Sequence, residues 1–367
     1  MKSIALSREQ LAAVAEIDAW LDDPHDRVFR LFGAAGVGKT TTAREVMERH
    51  PGGLQCAFSG KAAYNLGAKT GHPAQTLHSA IYRPEKCPGG RPSQHCQHGS
   101  DKPHVVFVRN WSGALSQAKY LILDECSMVN ETIGRDAESF GKPILVLGDP
   151  YQLPPPEGCG HFTNQKPDVL LEEVHRHQDD GGIIDLATKI RLGENIAGHP
   201  FIIDDPANLE PDIVICGTNE LRARINGFRR ESDGLEPGAL PRPGEPLICL
   251  QNTPDLGLLN GQILDVIEAE ATTEAGYVVT LNDPWNDVRY TVPARTSDLN
   301  RRALVGMDDY TPNIARLSFA YAITCHKAAG SEWDSVLVLD NWHWDGHDRW
   351  LYTAVTRASQ EVRIFPC

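Results

Sequence analysis

The stretch LFGAAGVGKTTT, Leu31–Thr42, decides the fold. Within it, Gly33-Ala34-Ala35-Gly36-Val37-Gly38-Lys39-Thr40 fits the spacing G-x-x-x-x-G-K-[ST]. An apolar run, Val28–Phe32, precedes it. A helical pattern, Lys39–His50, follows and stops at Pro51-Gly52-Gly53. This strand–loop–helix context is the one a phosphate-gripping loop requires. Glycines let backbone N–H groups turn inward around phosphate oxygens. The helix start adds a partial positive charge. The pattern predicts that Gly33, Ala34, Ala35, Gly36, Val37, Gly38, Lys39, Thr40 and Thr41 cradle a nucleotide. Lys39 would reach the β/γ-phosphates, and the Thr40 hydroxyl would ligate Mg²⁺.

Such a loop needs a carboxylate partner for the metal. Lys119-Tyr-Leu-Ile-Leu-Asp124-Glu125 offers one, an apolar strand ending in two acids. Asp124 would hold Mg²⁺ through water, and Glu125 would orient or deprotonate an attacking water. The plainer reading is two acids at a solvent-facing strand end.

The 367 residues have room for two ordinary domains. Composition, 41% hydrophobic and 23% charged, is that of a globular protein. No apolar run is long enough to span a bilayer. Arg8 and Glu9 stand where a signal peptide needs an apolar core, so a cytoplasmic location is expected. Nine scattered cysteines, an odd number, suit reduced thiols in such a compartment.

The formal net charge is −14, which on its face disfavours a nucleic-acid partner. Charge acts locally, however. Between Phe58 and Arg109, seven Lys/Arg face two acids, and five histidines share the window. It reads either as a solvated basic loop or as an electrostatic footprint for a phosphate backbone.

The first half alternates apolar strands and helical patterns, the mark of a parallel α/β sheet. Expected strands are Val28–Phe32, Ala57–Ser59, Leu121–Leu123 and Ile144–Leu147. From Arg83 to Lys102 the chain is rich in Pro, Gly, Gln and His, which reads as an inserted loop or small subdomain. His177–Gly182 reads as a hinge. A second α/β region follows: strand Ile213–Cys216, helix Asn219–Arg230, strand Ser335–Leu339, helix Trp350–Ala358 and strand Val362–Phe365. Between them, about Pro237–Asp298, lie four short β-type runs with an Asn260-Gly261 turn signal, read as a small β-barrel-like insertion.

Further motifs stand in order along the chain. Gly148-Asp-Pro-Tyr-Gln152-Leu-Pro154 follows a strand, and Leu171-Glu-Glu-Val-His-Arg176 comes next. Far downstream stand Thr324-Cys-His326-Lys327-Ala-Ala-Gly-Ser-Glu332-Trp333 and Leu351-Tyr-Thr-Ala-Val-Thr-Arg357-Ala358. The ordered set resembles superfamily 1 helicases, most closely the RecD-like and Dda-like branch, over nearly the whole chain. The small size resembles phage-encoded members.

The resemblance implies two RecA-like P-loop lobes with parallel sheets. A wedge insertion would sit in the first lobe and an SH3-like β insertion in the second. The expected division is 1–80 with 111–178 for lobe 1, 81–110 for the wedge, 179–236 with 299–367 for lobe 2, and 237–298 for the β insertion. It further implies ATP and Mg²⁺ as cofactors, single-stranded DNA and single/double-strand junctions as partners, 5′→3′ movement and a monomer. Replication or recombination proteins are the expected protein partners, and no membrane is involved.

By resemblance, Gln152 senses the γ-phosphate, and Arg176 and Arg357 reach it from the second lobe's side. A guanidinium suits charge building on phosphoryl oxygens. Glu332 resembles the acid that touches ribose. Ser59, Lys61, Thr76 and His78 resemble the DNA contacts of the first lobe and fall inside the basic window. Thr324, His326 and Lys327 resemble those of the second. Gln10 resembles the glutamine that reads adenine, but Ser7-Arg-Glu-Gln10 is also a capping box. Phe107 is the candidate wedge tip, with a plain hairpin-core role as its alternative. Cys87, His95, Cys96 and His98 raise a zinc reading without a familiar ligand spacing. One departure stands out: Ala329 occupies the place where the family carries Gln, which bears on the link between ATP and DNA. Two rival readings are a DNA-stimulated ATP switch that recruits partners without unwinding, and a nucleotide kinase.

Overall fold

A computed structural model describes residues 6–87, 104–155, 158–174, 182–273, 276–284, 288–300 and 313–367. Arg176, His95, Cys96, His98 and most of the expected hinge lie outside these residues, as does the Cys87 side chain. The chain divides into two compact units, Met1–Pro150 with Pro154–Arg176, and Tyr151–Leu153 with His177–Cys367.

The first unit contains α1 (Arg8–Asp22), β1 (Val28–Gly33), α2 (Lys39–Arg49), β2 (Leu54–Ala57), α3 (Gly60–Thr70), β3 (Ala74–Thr76), α4 (Leu77–Ile81), β4 (Tyr82–Cys87), β5 (His104–Arg109), α5 (Ala114–Gln117), β6 (Leu121–Asp124), α6 (Glu131–Glu138), β7 (Ile144–Gly148) and β8 (Val169–Leu171). Six strands form a parallel sheet in the order β3-β2-β6-β7-β1-β8. Side chains alternate across it, as a strand's period of two requires. Phe29, Leu31, Leu145 and Leu147 pack on one side with Val14, Ile17 and Val46 of α1 and α2. Val28, Phe32, Ile144 and Val146 pack on the other with Leu77, Ile81 and Phe162. Both faces are therefore covered, and the strands read as unbroken apolar runs.

Two expectations shift here. The strand placed at Ala57–Ser59 is Leu54–Ala57, and Ser59 instead caps α3, its hydroxyl accepting the Ala62 N–H at 3.2 Å. A serine that bonds forward to the backbone starts a helix more readily than it extends a strand. The inserted segment is flanked by an antiparallel hairpin, β4 with β5, which pairs Pro84 with Phe107.

The second unit contains α7 (Ile183–Arg191), β9 (Ile213–Cys216), α8 (Asn219–Ser232), β10 (Pro246–Cys249), β11 (Ile263–Thr273), β12 (Gly276–Asp283), β13 (Val288–Arg295), β14 (Leu317–Phe319), β15 (Ala322–Thr324), α9 (Cys325–Ala328), β16 (Trp333–Asp340), α10 (His347–Val355) and β17 (Ala358–Pro366). Its main sheet is parallel, β15-β9-β16-β17. Ile213, Ile215, Val336 and Val338 pack with α7 and α10, while Val214, Leu337 and Leu339 pack with Leu221 and Ile225 of α8. The helix expected at Trp350–Ala358 is His347–Val355. It starts after Gly346, at φ 82°, and Ala358 already opens β17.

The β insertion is an antiparallel sheet, β13-β12-β11-β10-β14, and its fifth strand comes from beyond residue 298. Arg230 of α8, fully buried, ties this module down. It pairs with Glu245 at 2.9 Å and donates to the carbonyls of Glu236, Pro237, Ala239 and Leu240. A buried guanidinium is tolerable only with this degree of satisfaction.

Candidate nucleotide site and nucleic-acid interface

The loop between β1 and α2 has the backbone its glycines predict. Gly36 and Gly38 both sit at φ 84°. A Cβ on Gly33 would stand 2.6 Å from the Leu171 carbonyl oxygen and from a Val37 methyl, so nothing larger fits there. The Lys39 ammonium bends back over the loop and donates to the carbonyls of Gly33 (2.8 Å) and Ala34 (2.9 Å). The Thr40 hydroxyl meets Asp124 Oδ2 at 3.3 Å. β1 and β6 thus deliver lysine, hydroxyl and carboxylate to one place, although 84 residues separate Thr40 from Asp124. Hydroxyl plus carboxylate is an all-oxygen donor pair, which fits a hard cation such as Mg²⁺.

The acid pair is arranged by backbone geometry. Glu125 adopts a left-handed conformation, φ 53°, uncommon for a non-glycine residue, and its N–H donates to Asp124 Oδ1 at 2.8 Å. Burial, and then the neighbouring Glu125 carboxylate, push the Asp124 carboxyl up to about 6. The Glu125 N–H, Lys39 and Thr40 pull against that rise.

Gln10 serves the capping box and the loop together. Its Oε1 accepts the Ser7 N–H at 3.0 Å, the Ser7 hydroxyl accepts the Gln10 N–H at 3.3 Å, and Nε2 donates to the Val37 carbonyl at 3.3 Å. Helix α1 is thereby fixed to the phosphate loop.

In the second unit, Arg357 follows α10 and is buried. Its Nε donates to the Thr353 carbonyl (3.1 Å), one terminal nitrogen to the Ser331 carbonyl (3.4 Å) and the other to the Thr356 hydroxyl (3.2 Å). Gln152 is also buried and belongs to the second unit with Tyr151 and Leu153. Glu332 stands immediately before β16.

The expected DNA contacts fall at helix starts that follow strand ends. In the first unit, Ser59 caps α3. Thr76 caps α4, its hydroxyl accepting the Ser79 N–H at 3.2 Å. Lys61 is largely buried. The His78 ring lies between those of Phe58 and Tyr82, and burial pulls its imidazolium down. In the second, Thr324 ends β15 and precedes α9. His326 lies against Trp342, and burial lowers it too. Lys327, also lowered by burial, donates to the Asn260 side chain in the turn before β11. Phe107 on β5 is 53% exposed. That exposure removes the core-of-hairpin alternative for this side chain. Among the described residues, no His/Cys/Asp/Glu cluster suited to a metal forms, and no helix is long and apolar enough to cross a membrane.

Comparison with known proteins is decisive at the level of family. Residues 5–202 match the AAA domain family, more than half the chain. The chain belongs to that family. Residues 319–365 of this AAA-domain protein match the UvrD-like helicase C-terminal domain. It is 29% identical to the ATP-dependent RecD2 DNA helicase of Deinococcus radiodurans, over 96% of this chain and 48% of that protein. It is 24% identical to the conjugal transfer protein TraA of Rhizobium radiobacter, over 98% of this chain and 32% of that protein. The chain thus spans about half the length, or less, of these curated relatives. Among solved structures, Bacteroides Pif1 bound to ssDNA superposes with a TM-score of 0.64 at 19% identity, covering 98% of this chain and 92% of that one. That likeness shows a shared fold. By sequence the AAA-domain protein is thus similar to RecD-type helicases, and by fold to Pif1.

The structure adds residues that the motifs did not flag. Both Glu9 carboxylate oxygens accept backbone N–H groups, of Glu172 and Glu173, each at 2.9 Å. This pins the chain just ahead of the expected Arg176. Asn341 Oδ1 accepts the Gly217 N–H at 2.7 Å and joins the ends of β16 and β9. Neither pairing leaves a mark in local sequence, because the partners are more than a hundred residues apart.

Proposed function

We propose that this chain is an ATP-dependent DNA helicase that translocates on single-stranded DNA, 5′→3′, and couples hydrolysis to strand separation. The meeting of Lys39, Thr40 and Asp124 at the ends of β1 and β6 carries the reading. That meeting supports nucleotide hydrolysis, and the likeness to a DNA helicase and to an ssDNA-bound structure supports DNA as the track. Gln10 would read adenine and Glu332 would touch ribose. Gly33 to Thr41 would wrap the phosphates. Bound Mg²⁺, held by Thr40 and Asp124, would offset phosphate charge. Glu125 would take a proton from the attacking water as the bond from the β–γ bridging oxygen to the γ-phosphorus breaks, giving ADP and phosphate. Gln152, Arg176 and Arg357 would register the γ-phosphate and stabilise its developing charge. Ser59, Lys61, Thr76, His78, Thr324, His326 and Lys327 would track the strand, and Phe107 would part the duplex. The antiparallel module supports an SH3-like role in holding strand or wedge in place.

A strand-displacement assay on 5′-tailed and 3′-tailed duplexes, with and without ATP, tests this. ATP-dependent opening of the 5′-tailed substrate alone is expected. Opening of the 3′-tailed substrate instead overturns the polarity. DNA-stimulated hydrolysis with no opening of either would leave the switch reading, which the Ala329 substitution would then explain.

A further inference from the structure

The three residues Tyr151, Gln152 and Leu153 are tied to the last turn of α10 at both ends. The Tyr151 ring meets Tyr352 edge-on, with centroids 6.3 Å apart, and the Arg191 guanidinium lies 4.7 Å over its face. The Leu153 N–H donates to the Thr353 hydroxyl at 2.9 Å. Thr353 is buried, and its hydroxyl in turn donates to the Arg349 carbonyl at 2.7 Å. A hydroxyl has one hydrogen and two lone pairs, so it can accept from Leu153 only in this arrangement. The carbonyl of the same residue accepts Arg357 Nε and the Thr356 hydroxyl, both at 3.1 Å. One residue therefore holds the segment that carries Gln152 through its side chain, and Arg357 through its backbone.

We propose that Thr353 is a positioning residue that joins the Gln152 segment to Arg357, so that these two side chains move together. The inference rests on the reading of Gln152 and Arg357 given above. The acceptor must be a compact hydroxyl inside a packed helix end, which threonine or serine supplies. Valine fills the same volume but leaves the Leu153 N–H without its partner. Leu153 itself sits in the hydrophobic core, so the segment stays attached without the hydrogen bond but loses its register with Arg357.

The test uses the full chain carrying Thr353→Val or Thr353→Ser, with steady-state ATP hydrolysis measured with and without a single-stranded oligonucleotide. Thr353→Val is expected to lower DNA-stimulated kcat about tenfold, the equivalent of one hydrogen bond in the barrier. KM for ATP should stay within about twofold, because nucleotide binding does not use this bond. Thr353→Ser should restore kcat to within about twofold. In a Gln152→Ala background, Thr353→Val should add little further loss, since the joint then has nothing to carry. Unchanged kcat in Thr353→Val, failure of serine to rescue, or full additivity with Gln152→Ala overturns the joint. Should the valine chain not fold by circular dichroism, Thr353→Ala answers the same comparisons. An unmutated chain lacking DNA-stimulated hydrolysis takes down the functional reading and this inference together. An active one that is indifferent to Thr353 takes down only the inference.

Discussion

The first unit's parallel sheet ends β1 in a glycine loop with two left-handed residues, a lysine and a helix start. The second unit's parallel sheet ends β9 and β15 in threonine-led turns, Gly217-Thr218 and Thr324-Cys325, with no such loop. Strand direction is alike in both, and the chemistry at the strand ends differs. The first presents backbone N–H groups in a curve, suited to a chain of phosphates. The second holds Arg357 on two carbonyls, that of Thr353 in the last turn of α10, where the helix dipole favours positive charge, and that of Ser331 ahead of β16. Lys39 also rests on carbonyls, but on those of its own half-exposed loop. The contrast teaches that a repeated fold does not repeat a site. The first unit carries the phosphate-loop backbone, and the second keeps a buried guanidinium in order.

The predictions test that division, beginning with the largest effect. Lys39→Ala should abolish ATP hydrolysis, by about a thousandfold or more, while single-strand binding persists in a fluorescence anisotropy titration. Normal turnover in that variant breaks the comparison, because the first unit would not then be the grip. Arg357→Ala should lower kcat by about a hundredfold with ATP affinity within about threefold. An equal loss of affinity would make Arg357 part of the grip instead. Phe107→Ala should slow unwinding several-fold while translocation on a single strand, followed by streptavidin displacement, is spared. Equal loss of both removes Phe107 as the wedge.

The smallest effect is one of pH. Asp124 titrates at about 6 in the fold, above its ordinary value near 4. The folded chain therefore binds this proton more tightly than the unfolded chain does. In metal-free buffer this carboxyl should add stability as pH falls from 7 through 6, and the gain is complete only below the unfolded value near 4. Asp124→Asn should flatten that part of the denaturation profile and raise the melting temperature slightly at pH 8. A slope that survives the substitution assigns it to another group.

Much of this was legible in the chain itself. Gly33 to Thr40 announced the loop because phosphate binding imposes positive-φ backbone and close approach at fixed spacing, which only glycines at those positions satisfy. The apolar runs at Val28, Leu121 and Ile144 announced a doubly covered sheet because parallel strands bury both faces. The basic window around Lys61 and Arg109 stood out because charge is countable without a structure. Phe107 stood as a candidate wedge tip by likeness alone, and its exposure came from the fold.

Tertiary structure alone brought Thr40 to Asp124, Glu9 to the amides of Glu172 and Glu173, and Leu153 to Thr353 across 200 residues. Sequence determines what is repeated at short range, that is spacing, periodicity and backbone permission, because those are properties of neighbours. Which distant hydroxyl satisfies which amide depends on how the elements pack, and no local pattern records that.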